Sequence, residues 1–135
     1  MSIHLESKHL VNTQQMEVAV HGPDGATHLI LCTGVANLDA AGRETYTFFV
    51  GPILSQRQFV GVIASGGILT LHFTHSQSSG DRNAVEFGAN VVLVTADYDH
   101  ESKQVKVKAE ISSLEDRGKL AISYNVNILA ELPRY

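Results

Sequence analysis

NVVLVTADYD (residues 90–99), QVKVKAEISS (104–113) and LAISYNVNI (120–128) decide how this chain folds. The first is almost continuously apolar, and the other two alternate apolar with polar side chains. A period of two is the pattern of a strand with one dry and one wet side. With residues 100–103 as a turn, Tyr98, Ala96, Val94 and Val92 face Val105, Val107, Ala109 and Ile111 across an antiparallel ladder. With residues 114–119 as the next turn, the same face continues through Leu120, Ile122, Tyr124, Val126 and Ile128. Thr95, Asp97, Lys106, Lys108, Glu110, Ser123, Asn125 and Asn127 gather on the other side. The spacing predicts a C-terminal three-stranded meander whose dry face needs a second sheet to cover it.

The chain before it reads the same way. Ile3 and Leu5 alternate with His4 and Glu6, which suits a short first strand. Residues 14–21 place Met16, Val18 and Val20 on one side, and GPDG (22–25) supplies turn chemistry. A four-residue turn there pairs Val18 with Leu29 and Met16 with Leu31. Residues 28–32 are apolar on both faces, which predicts an interior strand. Residues 43–50 resume the pattern with Tyr46, Phe48 and Val50 before Gly51 and Pro52 break it. Residues 59–65 and 68–75 flank Gly66 and Gly67, a hairpin signal, because glycines suit the turns that match strand twist. That register sets Gly61 opposite His72. Residues 76–83 are the longest polar stretch, a loop, and residues 84–87 suit one more short strand.

No stretch of ten or more residues carries a helical apolar stripe. Eight or nine short strands with regular turn signals predict an all-β, antiparallel two-sheet sandwich of Greek-key or jelly-roll type, spanning residues 1–135 as one domain. Neither internal repeats nor low-complexity segments interrupt it.

Composition excludes several function classes. The net charge is −4 and the ten basic residues are scattered, whereas nucleic-acid binders gather them into a stripe. The first residues contain no long apolar run and no later run reaches bilayer-spanning length, so a soluble, cytoplasmic protein without a membrane span is expected. The single cysteine, Cys32, lies in an apolar run and reads as a buried, inert thiol.

Chemistry is sparse. His72 and His75 are three residues apart, which on a strand turns them to opposite faces, so they cannot share a metal ion. Asp97, Asp99 and Glu101 flank a hairpin end, but Lys106 opposite Asp97 makes a cross-strand charge pair, and the spacing is not that of a calcium loop. Neither a nucleophile elbow nor a phosphate-binding loop occurs, so no catalytic residue, metal or cofactor is assigned. His4, His9, His21 and His28 are candidates to gather at one end of the first strands. The wet face of the meander, where Val91 and Leu93 also fall, is a second candidate binding surface.

Two functions compete on this reading. The first is a non-catalytic binding or assembly module, expected to be a homo-oligomer, because Val91, Leu93 and Ile30 are apolar residues left on nominally outer faces. The second is a small-molecule enzyme or ligand-binding protein whose site is His72, His75, Gly61 and Arg82 beside the 76–83 loop. A protein or small-molecule ligand suits either.

Overall fold

Every segment with a period of two becomes a strand. The computed structural model describes residues 2–20, 27–39, 42–72, 91–112 and 119–132, with the backbone alone at 69–72 and 91. These residues form β1 (Ser2–His4), a 3₁₀ turn (Ser7–His9), β2 (Leu10–Ala19), β3 (Thr27–Asp39), β4 (Arg43–Val50), β5 (Phe59–His72), β6 (Val91–Asp99), β7 (Gln104–Ser112) and β8 (Lys119–Glu131). Two four-stranded sheets result, in the orders β1-β4-β7-β6 and β2-β3-β8-β5. The architecture is the all-β two-sheet sandwich that the alternation predicts. One pair departs from antiparallel: β1 runs parallel to β4.

Several registers follow the sequence. Tyr98 pairs with Val105, Ala96 with Val107, Val94 with Ala109 and Val92 with Ile111. Met16 pairs with Leu31 and Val18 with Leu29. The run at residues 28–32 does lie in an interior strand, β3, between β2 and β8.

Three expectations about the strands are corrected. The C-terminal meander does not form, because β8 crosses to the other sheet and inserts between β3 and β5. Its apolar face still points inward, with Leu120, Ile122, Val126 and Ile128 almost wholly buried, but it covers the first sheet instead of extending it. Alternation fixes which side of a strand is dry and says nothing about which layer the strand joins. Second, Gly66 and Gly67 are not a turn. They lie inside the continuous strand β5, paired with Tyr124 and Ser123 of β8. A Cβ on Gly66 would stand 2.6 Å from both the Ser123 carbonyl oxygen and Val94 Cγ2. The missing side chain therefore admits a close approach of backbone to neighbour, the other use of glycine within a strand. Third, Ile30 is fully buried and not on an outer face. Leu93 is exposed as expected, at 54 %.

Apolar side chains of both inner faces make one core, with Phe48 of β4 tilted against Tyr124 of β8 at a ring separation of 4.9 Å. Gly34 leaves room for the Tyr124 ring, since a Cβ there would lie 2.6 Å from Tyr124 Cζ. Tyr46, also buried, donates its hydroxyl to the Asp39 carbonyl at 2.9 Å.

The segment joining β4 to β5 changes sheets, and Leu54 pins it by burial at 1 % exposure. Leu54 N–H donates to the Lys103 carbonyl at 2.8 Å, and the Leu54 carbonyl accepts the Tyr98 hydroxyl at 2.6 Å. Tyr98 also stacks on Phe59, with ring centroids 5.0 Å apart. Removing this hydroxyl strands a shielded carbonyl while leaving the ring in place. Tyr98→Phe is expected to lower stability by about 1–2 kcal/mol, read as a shifted urea midpoint at unchanged slope.

The β6–β7 turn spans residues 100–103 as predicted. Asp99 accepts from the Ser102 hydroxyl at 2.6 Å and from Ser102 N–H at 3.0 Å. These bonds, with Lys106 nearby, hold the Asp99 carboxyl below the usual carboxylate range. The expected ion pair of Lys106 with Asp97 is replaced by one with Asp99, at 3.8 Å. Asp97 instead accepts from the Tyr98 N–H at 2.8 Å.

Candidate functional site

The residues nominated from sequence do not converge. Gly61 pairs with Leu129 near the start of β5, and His72 pairs with Lys119 at its end, so one extended strand separates them. The pocket imagined between them depended on the hairpin and goes with it. His75, Arg82, the 76–83 loop and the strand expected at residues 84–87 lie outside the described residues. The histidines also stay apart: His4 meets Thr47 at 3.4 Å, His9 Nδ1 accepts from Glu6 N–H at 3.3 Å, and His28 Nδ1 lies 2.8 Å from Glu17 Oε1. His21 is outside the described residues.

Cys32 is buried, and burial pushes its thiol up to about 11. A thiol that stays protonated is a poor nucleophile, which agrees with the inert role read from sequence.

One end of the sandwich holds a pocket of about 430 Å³ between β1, β3, β4 and β8. Ile3, Leu5, Leu38 and Leu120 give it an apolar lining, and His9, Asp39, Tyr46 and Lys119 supply polar groups. Three of these residues, Asp39, Tyr46 and Lys119, are already paired with one another. Lys119 Nζ lies 2.7 Å from Asp39 Oδ1, and the Tyr46 hydroxyl is spent on the Asp39 carbonyl. Burial and the Asp39 charge push the Tyr46 phenol up, so it stays protonated and donating. The pocket can accept an apolar group with a polar tip. Among the described residues it places no serine, threonine or cysteine beside a base, the arrangement acyl transfer through a hydroxyl or thiol requires.

The outer faces of the two sheets differ more sharply. On the first sheet, Lys106, Lys108, Glu110, Asp97 and Asp99 face outward, with Lys108 and Glu110 3.2 Å apart. This face is dominated by charge, with Leu93 the large apolar side chain exposed among these residues. On the second sheet, one rung across four strands reads Met16, Leu31, Asn127, Ile63 and the next reads Val18, Leu29, Leu129, Gly61. The rungs beyond read Gln14, Thr33, Asn125, Ser65 and then Val11, Val35, Ser123, Gly67. None of these positions is charged. Met16 is 61 % exposed, Val18 43 % and Ile63 74 %. In their midst the Asn127 side-chain oxygen is shielded from solvent, with no hydrogen-bond partner among the described residues.

This surface escapes a reading from sequence. Alternation gathers Met16 and Val18 on one side of β2, but only the fold shows that this side faces out. The double-sided apolarity of residues 28–32 is the one signal pointing to it, because burying one face leaves Leu29 and Leu31 for the other.

Among the described residues no helix is long and apolar enough to cross a membrane. Comparison of the chain with protein-family models, with curated proteins and with solved structures found no match in any of the three.

Proposed function

We propose that this protein is a non-catalytic β-sandwich module that works by binding, and specifically by self-association. The observation that carries this reading is the uncharged middle of the outer side of the β2-β3-β8-β5 sheet, where Met16, Val18 and Ile63 are exposed. Isolated exposed apolar residues are ordinary, but a contiguous uncharged patch across four strands is a surface suited to contact. The opposite sheet shows that this sequence makes a charged outer face where water is the neighbour. A reducing, cytoplasmic setting suits the single buried thiol.

Light scattering across a range of protein concentrations tests the proposal. A mass above that of one chain, falling on dilution, is the expected result. A strict monomer at high concentration would remove the self-association.

A further inference from the structure

We infer that two copies of this chain join edge to edge through β2, antiparallel about a two-fold axis at Met16, making one continuous eight-stranded sheet. The inference rests on the self-association proposed above and places the contact at the β2 edge of that sheet, so the dimer lengthens the uncharged outer face without burying it.

Edges are where sheets recruit strands, because one row of backbone N–H and C=O groups is left unpaired. β2 is a ten-residue edge strand, exposed at every position after Leu10, and among the described residues only β3 pairs with it. Of the usual protections it has a bulge at its start and one charge, Glu17, but no lysine, arginine or proline. Glu17 is drawn back toward its own sheet, with Oε1 2.8 Å from His28 Nδ1.

Among the described residues, the remaining edges do not offer a second copy an equivalent place. β1 has three residues. β5 and β6, at the other side of the sandwich, are brought together where Val94 would meet any side chain at Gly66. A second copy can therefore offer only its own β2, and pairing a strand with itself gives a closed two-fold dimer.

The register follows from geometry. A bulge between Val11 and Gln14, with Asn12 in the left-handed region at φ 53°, leaves Gln14–Ala19 as the regular part of β2. A two-fold axis normal to the sheet keeps each residue on its own face, so one residue must sit opposite itself. Near the middle of the regular part this is Met16 or Glu17. An axis at Glu17 would set two carboxylates directly opposite each other, which is unfavourable. An axis at Met16 sets the two methionines together and places Gln15 of each chain opposite Glu17 of the other, where the amide can donate to the carboxylate. Val18 then lies opposite Gln14, and the uncharged outer face continues across the junction.

Sedimentation equilibrium on the full chain and four variants, each at an exposed position and checked by circular dichroism, tests this. Gln15→Glu creates two symmetry-related like-charge pairs and is expected to weaken dimerisation about tenfold. Gln15→Lys creates two opposite-charge pairs and is expected to tighten it by a factor of about three to ten. Met16→Cys is expected to give a covalent dimer on mild oxidation, since directly opposed Cβ atoms lie about 4.5–5.5 Å apart. Ile63→Lys, on the far strand of the sheet, is expected to leave the dimer unchanged. If Ile63→Lys dissociates the dimer while the Gln15 variants have no effect, the sheets pack face to face; edge pairing is then overturned and self-association stands. If the unaltered chain is monomeric throughout, both fall.

Discussion

Replacing Gly66 with alanine is expected to destabilise the fold by about 2–3 kcal/mol, while the same change at Gly67 stays within about 0.5 kcal/mol. The neighbours differ in what a new methyl group meets. At Gly66 it would lie 2.6 Å from the Ser123 carbonyl oxygen and 2.6 Å from Val94 Cγ2, whereas at Gly67 nothing lies within 4 Å. Val94 can adjust by rotating, but Ser123 belongs to the ladder between β8 and β5, and moving its carbonyl opens that ladder. Neither glycine has a positive φ. A type I′ Gly-Gly hairpin turn would require one at both positions, so both alanines would be costly there. Urea unfolding of the two variants separates the readings: an equal loss at both positions would favour the turn over the continuous strand.

Phe48→Ala is expected to have the largest effect of any single truncation, a loss of about 3–5 kcal/mol. Phe48 is the bulkiest of the fully buried side chains. It projects from the first sheet onto Tyr124 of the second, so its removal opens a void between layers and deletes a tilted aromatic pair. Whole domains are stable by only about 5–15 kcal/mol, so this one change takes a large share. The melting temperature is expected to fall by roughly 10 °C or more, and Phe48→Leu, which fills most of the volume, by much less. A Phe48→Ala protein melting within a degree or two of the parent would mean that the two sheets do not meet at this ring.

Residues 92–111 show how far a single sequence carries. The alternation and a turn of known length fix the β6–β7 register residue by residue, because slipping by one position would invert every side chain. The same counting fixes Met16 to Leu31 and Val18 to Leu29. β8 shows where this stops. Its pattern is equally clear, yet a strand that extends a sheet and one that covers it have the same alternation. Glycine is ambiguous in a related way, for the missing side chain serves both a turn and a close approach, and Gly66 serves the second.

The candidate surface was less legible still. A site written as a motif appears in sequence, but this one exists only because Asn127 and Ile63, from strands far along the chain, join the face that Met16 and Leu31 share. His72 and Gly61 illustrate the opposite error, two residues joined by a hairpin that does not form. The polar groups of the end pocket are separated in the same way, with Asp39 and Lys119 coming from different strands.

The ladder between β3 and β8 joins Thr27 to Glu131 and Asp39 to Lys119. The interior of that sheet thus waits for β8, the last of the described strands, and most of the sequence between must be ordered before its contacts repay the cost. Chains dominated by such distant pairings acquire their structure slowly, on the order of milliseconds to seconds. Until the final strand slots in, β3 lacks its inner neighbour and shows oily side chains on both faces to whatever is nearby. The period of greatest risk from clumping therefore falls during maturation, before the finished protein exists.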